Sequence, residues 1–393
     1  MIEIVNPIAQ AWQRLLTEQG IPIRAHLDIT YRCDLDCEHC YLDDKDDRRE
    51  LATEEWLRVV DELADWGVQR LGWSGGEVFA RADFFTLLEH SVRRGFINII
   101  KTHAGNIDRD LALRLRALDV QRIDISLYSL SAPVHDGITR IPGSLSATLR
   151  GIAALRAVGH IVSVQVMPFR ANMLEIEDMI AFLEGLGCVA SIAPGLKADN
   201  GGGLAVLDLD LSYEERIELE RIRLRVALRQ GHKGWRPGVV AAEDQPCEIG
   251  TGRIYFGPDG AIFPCVTYPS AIGHVRSGPI RAQWDASPLR RQLAAWTNAK
   301  RTSCLSCGAS AGCGYCAGAA FKATGDHDVA PPYFHERSRA KAVAYELERG
   351  VALGDAFWAS VPTGEAPVVK RRGQFPIFRA QKTGKAALAA GER

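Results

Sequence analysis

The chain has 393 residues, which is more than one average domain and suits a barrel-sized catalytic domain with a smaller second unit. Its 47% hydrophobic and 24% charged residues are ordinary for a folded globular protein, so a disordered chain is excluded. The formal net charge of -1 excludes a nucleic-acid binder that relies on a general basic surface.

The chain lacks the sequence marks of secretion and of membrane insertion. Its first residues mix charged and apolar positions, unlike a secretory signal, and no run of about eighteen apolar residues occurs. We therefore predict a cytoplasmic protein. Nine of its ten cysteines stand in tight sets, and in a reducing compartment grouped thiols are more often metal ligands than disulfides.

Short β-rich segments alternate with amphipathic segments between residues 26 and 193, a pattern that predicts parallel strands joined by helices. The predicted strands are His26–Tyr31, Arg70–Ser74, Ile97–Thr102, Arg122–Leu127, Ile161–Met167 and Cys188–Ala193. The predicted helices are Thr53–Trp66, Phe84–Arg94, Asp108–Leu118, Leu145–Val158 and Leu174–Leu186. The fold class is thus α/β, a partial (β/α)6 barrel, in which functional residues follow the C-terminal ends of the strands.

The composition changes after this region. The charged segment Ser212–Arg229 has helical periodicity and is predicted to close the barrel or to bridge onward, and a hairpin is predicted at Arg253–Phe256 and Ala261–Phe263. A small loop-rich domain rich in cysteine then precedes a helical run at Arg337–Glu348. We divide the chain into an N-terminal extension (1–24), the barrel with its bridging helix (25–235), a cluster domain (236–335), and a C-terminal helix with a basic tail (336–393).

Three cysteines, Cys33, Cys37 and Cys40, follow the first predicted strand. Three thiolates leave one iron of a [4Fe–4S] cluster open to an outside ligand, whereas structural zinc normally takes four protein ligands. His39 is the candidate fourth ligand in the zinc alternative. The Cys-x3-Cys-x2-Cys spacing after a strand resembles the signature of the radical S-adenosylmethionine (SAM) superfamily.

Three further segments resemble motifs of that superfamily. Ser74-Gly75-Gly76-Glu77 looks like the Gly-Gly-Glu motif that binds the methionyl amine of SAM, although Val78 replaces the usual proline. Ser126-Leu127-Tyr128 is similar to a Ser-Leu-Asp segment that contacts SAM, with Tyr128 in place of the aspartate. The segment from His135 to Ser144 resembles a loop whose arginine, here Arg140, pairs with the SAM carboxylate.

The resemblance implies a chemistry and a set of cofactors. A [4Fe–4S] cluster on the three cysteines would reductively cleave SAM to a 5′-deoxyadenosyl radical, which abstracts a hydrogen atom from the substrate. Gly75, Gly76, Glu77, Ser126 and Arg140 would bind SAM. An external electron donor such as flavodoxin or ferredoxin is implied as a partner. A substrate-side acid or base is not identified by the sequence.

The second cysteine set comprises six residues: Cys247, Cys265, Cys304, Cys307, Cys313 and Cys316. Zinc on the two Cys-x2-Cys pairs is an alternative, but their five-residue gap is short for that site and two cysteines would be unused. The pattern resembles the SPASM extension of radical SAM enzymes that mature peptides, which holds one or two auxiliary [4Fe–4S] clusters.

By that resemblance, Cys247, Cys265 and Cys316 would hold the inner auxiliary cluster, and Cys304, Cys307 and Cys313 the outer one. The sequence departs from the SPASM pattern in two ways, because two residues instead of three separate its last pair and a seventh cysteine is missing. Asp326, His327 and Asp328 are candidates for the unassigned ligand, and an absent outer cluster or an open iron are the alternatives.

The predicted function is a radical SAM oxidoreductase that cross-links or oxidises a peptide or protein side chain, with auxiliary clusters relaying electrons. The alternatives are a small-molecule radical SAM dehydrogenase or cofactor-biosynthesis enzyme and, more remotely, a non-catalytic metal-binding scaffold. Only about 25 residues precede the first strand, so we expect any leader-peptide recognition to come from a separate protein. His39 and His103 are interpreted as structural or loop residues, and Cys188 as a buried core residue.

Overall fold

The computed structural model describes residues 11–12, 15–16, 18–42, 49–196 and 205–363. Nine strands lie within these ranges. They are β1 (Arg24–Asp28), β2 (Arg70–Ser74), β3 (Ile97–Thr102), β4 (Arg122–Leu127), β5 (Val162–Val166), β6 (Val189–Ile192), β7 (Arg253–Phe256), β8 (Ala261–Phe263) and β9 (Gly273–His274).

The helices of the barrel region are α1 (Thr53–Trp66), α2 (Phe84–Arg93), α3 (Arg109–Ala117), α4 (Ala132–Thr139), α5 (Ser144–Ala157), α6 (Ile176–Gly185) and α7 (Tyr213–Arg229). The later helices are α8 (Ile280–Ala286), α9 (Pro288–Ala294), α10 (Ala317–Thr324), α11 (Pro332–Arg349) and α12 (Gly354–Ser360). Five of them, α4, α8, α9, α10 and α12, were not predicted. Each has only seven or eight residues, too few for a clear helical period.

All nine strands belong to one sheet with the order β6-β5-β4-β3-β2-β1-β7-β8-β9. Strands β1 to β6 pair in parallel, as the alternation of strands and helices predicts. The α/β fold class with a partial barrel is confirmed. The hairpin of β7 and β8 has the predicted bounds, and β7 also pairs in parallel with β1, so the sheet crosses the proposed boundary at residue 235.

The first strand, predicted as His26–Tyr31, begins two residues earlier and ends three residues earlier in the structure. The chain from Ile29 to Thr30 still runs beside the end of β2, with hydrogen bonds from Ile29 N to Ser74 O and from Gly76 N to Thr30 O. The regular ladder ends there because Gly75 takes a φ of 127°, which breaks the extended conformation of the partner chain.

Burial alternates along the strands and produces two different faces. On β4, Ile123, Ile125 and Leu127 are buried in the main core, whereas the intervening Arg122, Asp124 and Ser126 are half-buried. Because alternate residues of a strand point to opposite sides, the first group packs under the helices and the second faces the barrel interior. The interior of the barrel is therefore polar.

Helix α7 covers the open edge of the barrel at β6. The guanidinium of Arg223 donates to the carbonyl oxygens of Ile192 and Ala193, and the amide of Gln230 donates to Ala190 O at 3.3 Å. An edge strand presents unpaired backbone groups, and these side chains satisfy them. The helix predicted at Ser212–Arg229 is present, and these contacts place it against the sheet edge at β6.

A second, smaller hydrophobic core lies in the cysteine-rich region and contains Ile249, Tyr268, Leu293, Trp296 and Ala317. None of the helices in the described ranges is long and apolar enough to cross a membrane. The predicted basic tail and part of the N-terminal extension lie outside the described residues.

Candidate active site

The first three cysteines lie on a loop that starts at the C-terminal rim of the barrel. Backbone hydrogen bonds of 3.0 Å from Asp36 N to Thr139 O and from Glu38 N to Ile138 O attach this loop to the end of α4. They satisfy carbonyl groups that a helix end leaves without intrahelical partners. All three cysteines are half-buried, so the loop presents three accessible thiols beside the barrel opening.

His39, which directly precedes the third cysteine, does not complete a zinc site. The ring of His39 packs edge-on against Tyr128 and Phe169, with ring centroids 4.8 and 5.0 Å apart. Burial lowers the pKa of His39 to about 4, so the imidazole is neutral. In the part of the chain that the structure describes, His39 belongs to no convergent group of metal-binding side chains.

The two glycines after β2 allow two backbone segments to approach each other closely. A Cβ atom on Gly75 would lie 2.4 Å from Thr30 O, and one on Gly76 would lie 2.2 Å from Arg32 O. The glycines therefore leave room for the chain that leads into the cysteine loop, and the backbone N–H of Glu77 donates a hydrogen bond of 2.8 Å to Arg32 O in that chain. Their predicted contact with SAM stays a prediction.

We expect Gly76→Ala to displace residues 31 and 32 and with them the cysteine loop, because the added methyl group meets rigid backbone. Overpacking of this kind costs roughly 1–3 kcal/mol of folding free energy. The variant should bind less iron, cleave SAM at least roughly tenfold more slowly (about 1.4 kcal/mol in barrier) and melt at a lower temperature.

Gly185→Ala provides the matched control, because a Cβ at this helical position meets nothing within 4 Å. It should keep the iron content and the rate of SAM cleavage of the parent. Equal behaviour of the two variants, measured by iron analysis, thermal unfolding and 5′-deoxyadenosine formation, would contradict the assigned role of Gly76.

Glu77 is fully buried at the same rim. Its carboxylate accepts hydrogen bonds from Thr102 Oγ1 at 2.8 Å and from the backbone N–H of His103 at 3.0 Å. Burial raises its pKa, and the neighbouring His103 and Thr102 oppose the shift. These contacts hold the carboxylate in one orientation next to the cysteine loop.

His103 is a site residue whose role the sequence interpretation missed. Its Nε2 atom lies 2.7 Å from Asp34 Oδ1 and 3.1 Å from Glu77 Oε2, and its ligand atoms converge with those of Cys33 and Asp34 within 4.8 Å. Burial alone lowers the pKa of His103, but the two carboxylates outweigh it and raise the value. Its position directly after β3, at the same rim, was the available signal.

The remaining predicted SAM contacts lie around the same rim. Ser126 is half-buried on the inner face of β4 and hydrogen bonds with the Tyr128 hydroxyl. Arg140 follows α4 in the left-handed conformation, with φ 59°, and is half exposed. Its guanidinium lies 3.6 Å from Asp36 and 3.8 Å from Glu38, so its present partners are carboxylates of the cysteine loop.

The structure brings the later cysteines together in two groups. Burial, together with the neighbouring Cys265 and Cys316, raises the pKa of the Cys247 thiol to about 11, and Thr267 lies 3.4 Å from Cys265 Sγ and 3.6 Å from Cys316 Sγ. Burial and nearby Cys313 and Cys304 likewise raise the pKa of Cys307. The remaining cysteine, Cys188, is buried in the main core as predicted.

The spacing of these thiols is wider than a closed zinc site needs. Zinc–sulfur bonds of about 2.3 Å in a tetrahedron place the sulfur atoms roughly 3.8 Å apart. Among the described residues, no three of the thiols converge within 4.8 Å. Cysteines of an iron–sulfur cluster bind different iron atoms and lie farther apart, so both groups fit a cluster better than zinc.

The three candidates for the unassigned ligand have other partners. His327 Nδ1 lies 3.3 Å from the Tyr268 hydroxyl, and Asp328 Oδ1 accepts a hydrogen bond of 2.6 Å from the Trp296 indole. Asp326 accepts a hydrogen bond of 2.8 Å from the backbone of Asp328. Their assignment to the outer group therefore stays a prediction.

A cavity of about 710 Å³ connects the barrel interior with the inner group of thiols. Its wall includes Cys247, Cys265 and Cys316, and also Cys313 of the outer group. The opposite wall is basic, because β1, β2, β4 and β7 each begin with an arginine: Arg24, Arg70, Arg122 and Arg253. Burial lowers the pKa of Arg24, and the other three arginines add to the effect.

Residues 27–183 match the family model described as Radical SAM superfamily. This part of the chain is a radical SAM domain. The chain is therefore an enzyme with a radical SAM domain, and such domains bind SAM and a [4Fe–4S] cluster and use the cluster's electron to cleave SAM. The three half-buried thiols at the barrel rim fit such a cluster, because they leave one iron without a protein ligand.

The similarity to known proteins extends beyond residues 27–183. An AdoMet-dependent heme synthase of Methanosarcina barkeri is 27% identical and covers 78% of this chain and 94% of its own length. A PqqA peptide cyclase of Granulibacter bethesdensis is 26% identical, with coverage of 79% and 86%. The structure of Streptococcus suis SuiB bound to its precursor peptide SuiA has a TM-score of 0.60 at 16% identity, covers 75% and 73% of the two chains, and shows a shared fold.

Proposed function

We propose that the enzyme modifies a side chain of a peptide or protein, by cross-linking or oxidation through a substrate carbon radical. The observation that carries this proposal is the cavity of about 710 Å³ that joins the barrel interior to the second cysteine set. A substrate held there would lie between the site of radical formation and a site that can accept an electron. The likeness to a peptide cyclase and to a peptide-bound structure supports a peptide as the substrate.

We assign the metal and cofactor sites by the same reasoning. Cys33, Cys37 and Cys40 hold the catalytic [4Fe–4S] cluster, and Gly75, Gly76, Glu77, Ser126 and Arg140 form the SAM site. The inner auxiliary cluster takes Cys247, Cys265 and Cys316, and the outer one takes Cys304, Cys307 and Cys313. The grouping of thiols in the cavity wall and beside it supports this assignment.

The proposal includes partners and a location. An external donor such as flavodoxin or ferredoxin would reduce the catalytic cluster, and a separate protein would bind the leader peptide of the substrate. Cysteines grouped at metal-ligand spacing favour the reducing cytoplasm over an oxidising compartment.

A second candidate function is the modification of a small molecule in cofactor biosynthesis. The heme synthase relative, of which 94% is covered, favours it. The arginines at the start of four strands also suit it, since tetrapyrrole precursors of heme carry carboxylates that guanidinium groups bind well. An acidic peptide would use the same arginines.

The deciding experiment offers the anaerobically reconstituted, reduced enzyme two substrates in parallel with SAM. One is any short peptide that a reading frame next to the gene is found to encode, or otherwise a library of synthetic peptides, and the other is a tetrapyrrole precursor of heme. We expect substrate-dependent formation of 5′-deoxyadenosine and, by mass spectrometry, a peptide lighter by two hydrogen atoms. Conversion of the tetrapyrrole alone would overturn the peptide assignment in favour of the second candidate.

A further inference from the structure

Four side chains that are not among the predicted site residues form a hydrogen-bonded group inside the barrel. Asp28, at the end of β1, is fully buried. Its Oδ2 atom accepts hydrogen bonds from the hydroxyls of Tyr255 at 2.8 Å and Tyr41 at 3.1 Å, and its Oδ1 atom lies 2.9 Å from Nε2 of His26. The group joins the strand that leads to the cysteine loop with β7, which comes from the second region of the chain.

The hydrogen bonds determine which nitrogen of His26 carries the proton. The hydroxyls of Tyr41 and Tyr255 both donate to the Asp28 carboxylate, and burial together with that carboxylate raises the pKa of Tyr255, which keeps its hydroxyl protonated. A carboxylate accepts hydrogen bonds only, and therefore Nε2 of His26 must donate to Oδ1. Neutral His26 then has an unprotonated Nδ1, which is a proton acceptor.

The Nδ1 atom faces a space large enough for a substrate. His26 lines the cavity, its side chain is 24% exposed, and no hydrogen bond of Nδ1 occurs among the described residues. The ring of His26 lies against that of Tyr255, with centroids 5.5 Å apart, which restricts its rotation. Asp28 and the Tyr255 ring therefore fix the orientation of the imidazole, and its Nδ1 atom is open to the cavity.

The other acidic groups on the cavity wall are neutralised. Glu248 accepts from Arg24 at 3.0 Å and from Arg253 at 2.7 Å. Asp124 is bound by Arg122 at 2.7 Å and lies 3.4 Å from Lys101. Glu220 lies 3.4 Å from Arg223. Each of these carboxylates therefore already has a cationic partner, whereas the free nitrogen of His26 faces the cavity.

We propose that His26 is the general base that removes a proton from the substrate after hydrogen abstraction, with Asp28 as its positioning residue. This inference rests on the proposed function. The substrate carbon first loses a hydrogen atom to the SAM-derived radical. A neighbouring N–H, O–H or S–H group then gives its proton to His26 Nδ1, one electron leaves for an oxidised iron–sulfur cluster, and a new bond forms between the carbon and that heteroatom.

The location of His26 suits this step. The same cavity is lined by His26, Cys265 and Cys316, so a substrate in contact with the base also lies beside the inner group of thiols. Proton and electron can therefore leave the substrate on the same side of the cavity. A general base contributes roughly 10²–10⁴-fold to a rate.

The first test needs no substrate. Diethyl pyrocarbonate acylates unprotonated imidazole nitrogens that it can reach, and peptide mapping by mass spectrometry locates the modified histidines. In the anaerobic holoenzyme, His26 should react much faster than His135 and His160, which are 1% and 0% exposed. An unreactive His26 would overturn the proposal whatever the substrate is.

The second test measures the ratio of modified peptide to 5′-deoxyadenosine, with the peptide that the parent enzyme modifies in the substrate comparison above. His26→Gln keeps a donor for Asp28 but has no basic atom, and Asp28→Asn offers an amide donor that reverses the protonation of the histidine. Both variants should still form peptide-dependent 5′-deoxyadenosine, while the yield of modified peptide falls roughly a hundredfold or more. His232→Gln, on the exposed surface, is the control and should match the parent.

Three outcomes of this test have separate meanings. Modified peptide at the parental ratio in His26→Gln would overturn the proposal, and so would loss of 5′-deoxyadenosine itself, because His26 would then act before hydrogen abstraction. Formation of 5′-deoxyadenosine by the parent without any change in the peptide would contradict the proposed function. The acylation test would still decide the state of His26 in that case.

Discussion

Replacement of Cys33, Cys37 and Cys40 together with alanine is expected to abolish SAM cleavage and to remove about four iron atoms per chain. The three thiols are the ligands that a [4Fe–4S] cluster at the barrel rim requires, and without the cluster SAM receives no electron. The variant without this cluster should still fold, because the loop that carries the cysteines is held by backbone contacts with α4. Iron and sulfide analysis, EPR of the dithionite-reduced protein with and without SAM, and 5′-deoxyadenosine assays measure the effect.

Cys188→Ala is the matched control for this variant. Cys188 is the one cysteine of the chain outside the two cysteine sets, and it lies in the main core at 7% exposure. It should keep the iron content and the SAM-sensitive EPR signal. SAM cleavage by the triple variant at the parental rate would refute the assignment of the catalytic cluster.

Cys265→Ala is expected to lower the iron content and the yield of modified peptide. Loss of one ligand of the inner group should remove up to about four further irons and leave SAM cleavage intact, because the catalytic cluster is elsewhere. Modified peptide should fall roughly a hundredfold or more, since the substrate radical has lost its electron acceptor (about 2.7 kcal/mol). The iron content distinguishes this variant from His26→Gln, which should give a similar product ratio with all its iron.

Metal analysis of the parent protein tests the zinc alternative. A parent protein with about four irons and one zinc would make the second region a structural zinc site, and electron relay would have to be dropped. Cys304→Ala, in the outer group, provides the comparison. If it lowers the yield of modified peptide while Cys265→Ala does not, the inner and outer assignments must be exchanged.

Much of the barrel could be predicted from the sequence because its strands alternate between two environments. In β3 and β4, buried residues alternate with half-buried ones, and the predicted bounds of both strands are those observed. Helix α4 was missed because it contains Pro133 and Gly137, which lower helix propensity, and because eight residues show little periodicity. The pairing of β7 with β1 is a long-range register that no local pattern encodes.

Site residues could be predicted where residue type and spacing along the chain indicate their chemistry. Those whose role depends on contacts between distant parts of the chain could not. The cysteines and the Gly-Gly-Glu segment were found from their spacing after strands. The contact of Gly76 with Arg32, and that of His103 with Asp34 and Glu77, depend on how separate loops meet at one rim. His26 and Asp28 look like ordinary strand residues until Tyr41 and Tyr255 are placed beside them.

The pairing of β1 with β7 has a consequence for how the chain is synthesised. Tyr255 lies 227 residues beyond Asp28, its hydrogen-bond partner. At about 5–20 residues per second, a ribosome needs roughly 11–45 s to make that stretch. During this time β1 has no partner strand on the side that β7 later occupies, so this open edge is able to pair with other chains. A fragment that ends near residue 235 would keep this edge permanently and should aggregate, so the catalytic barrel depends on the far end of its own chain for solubility.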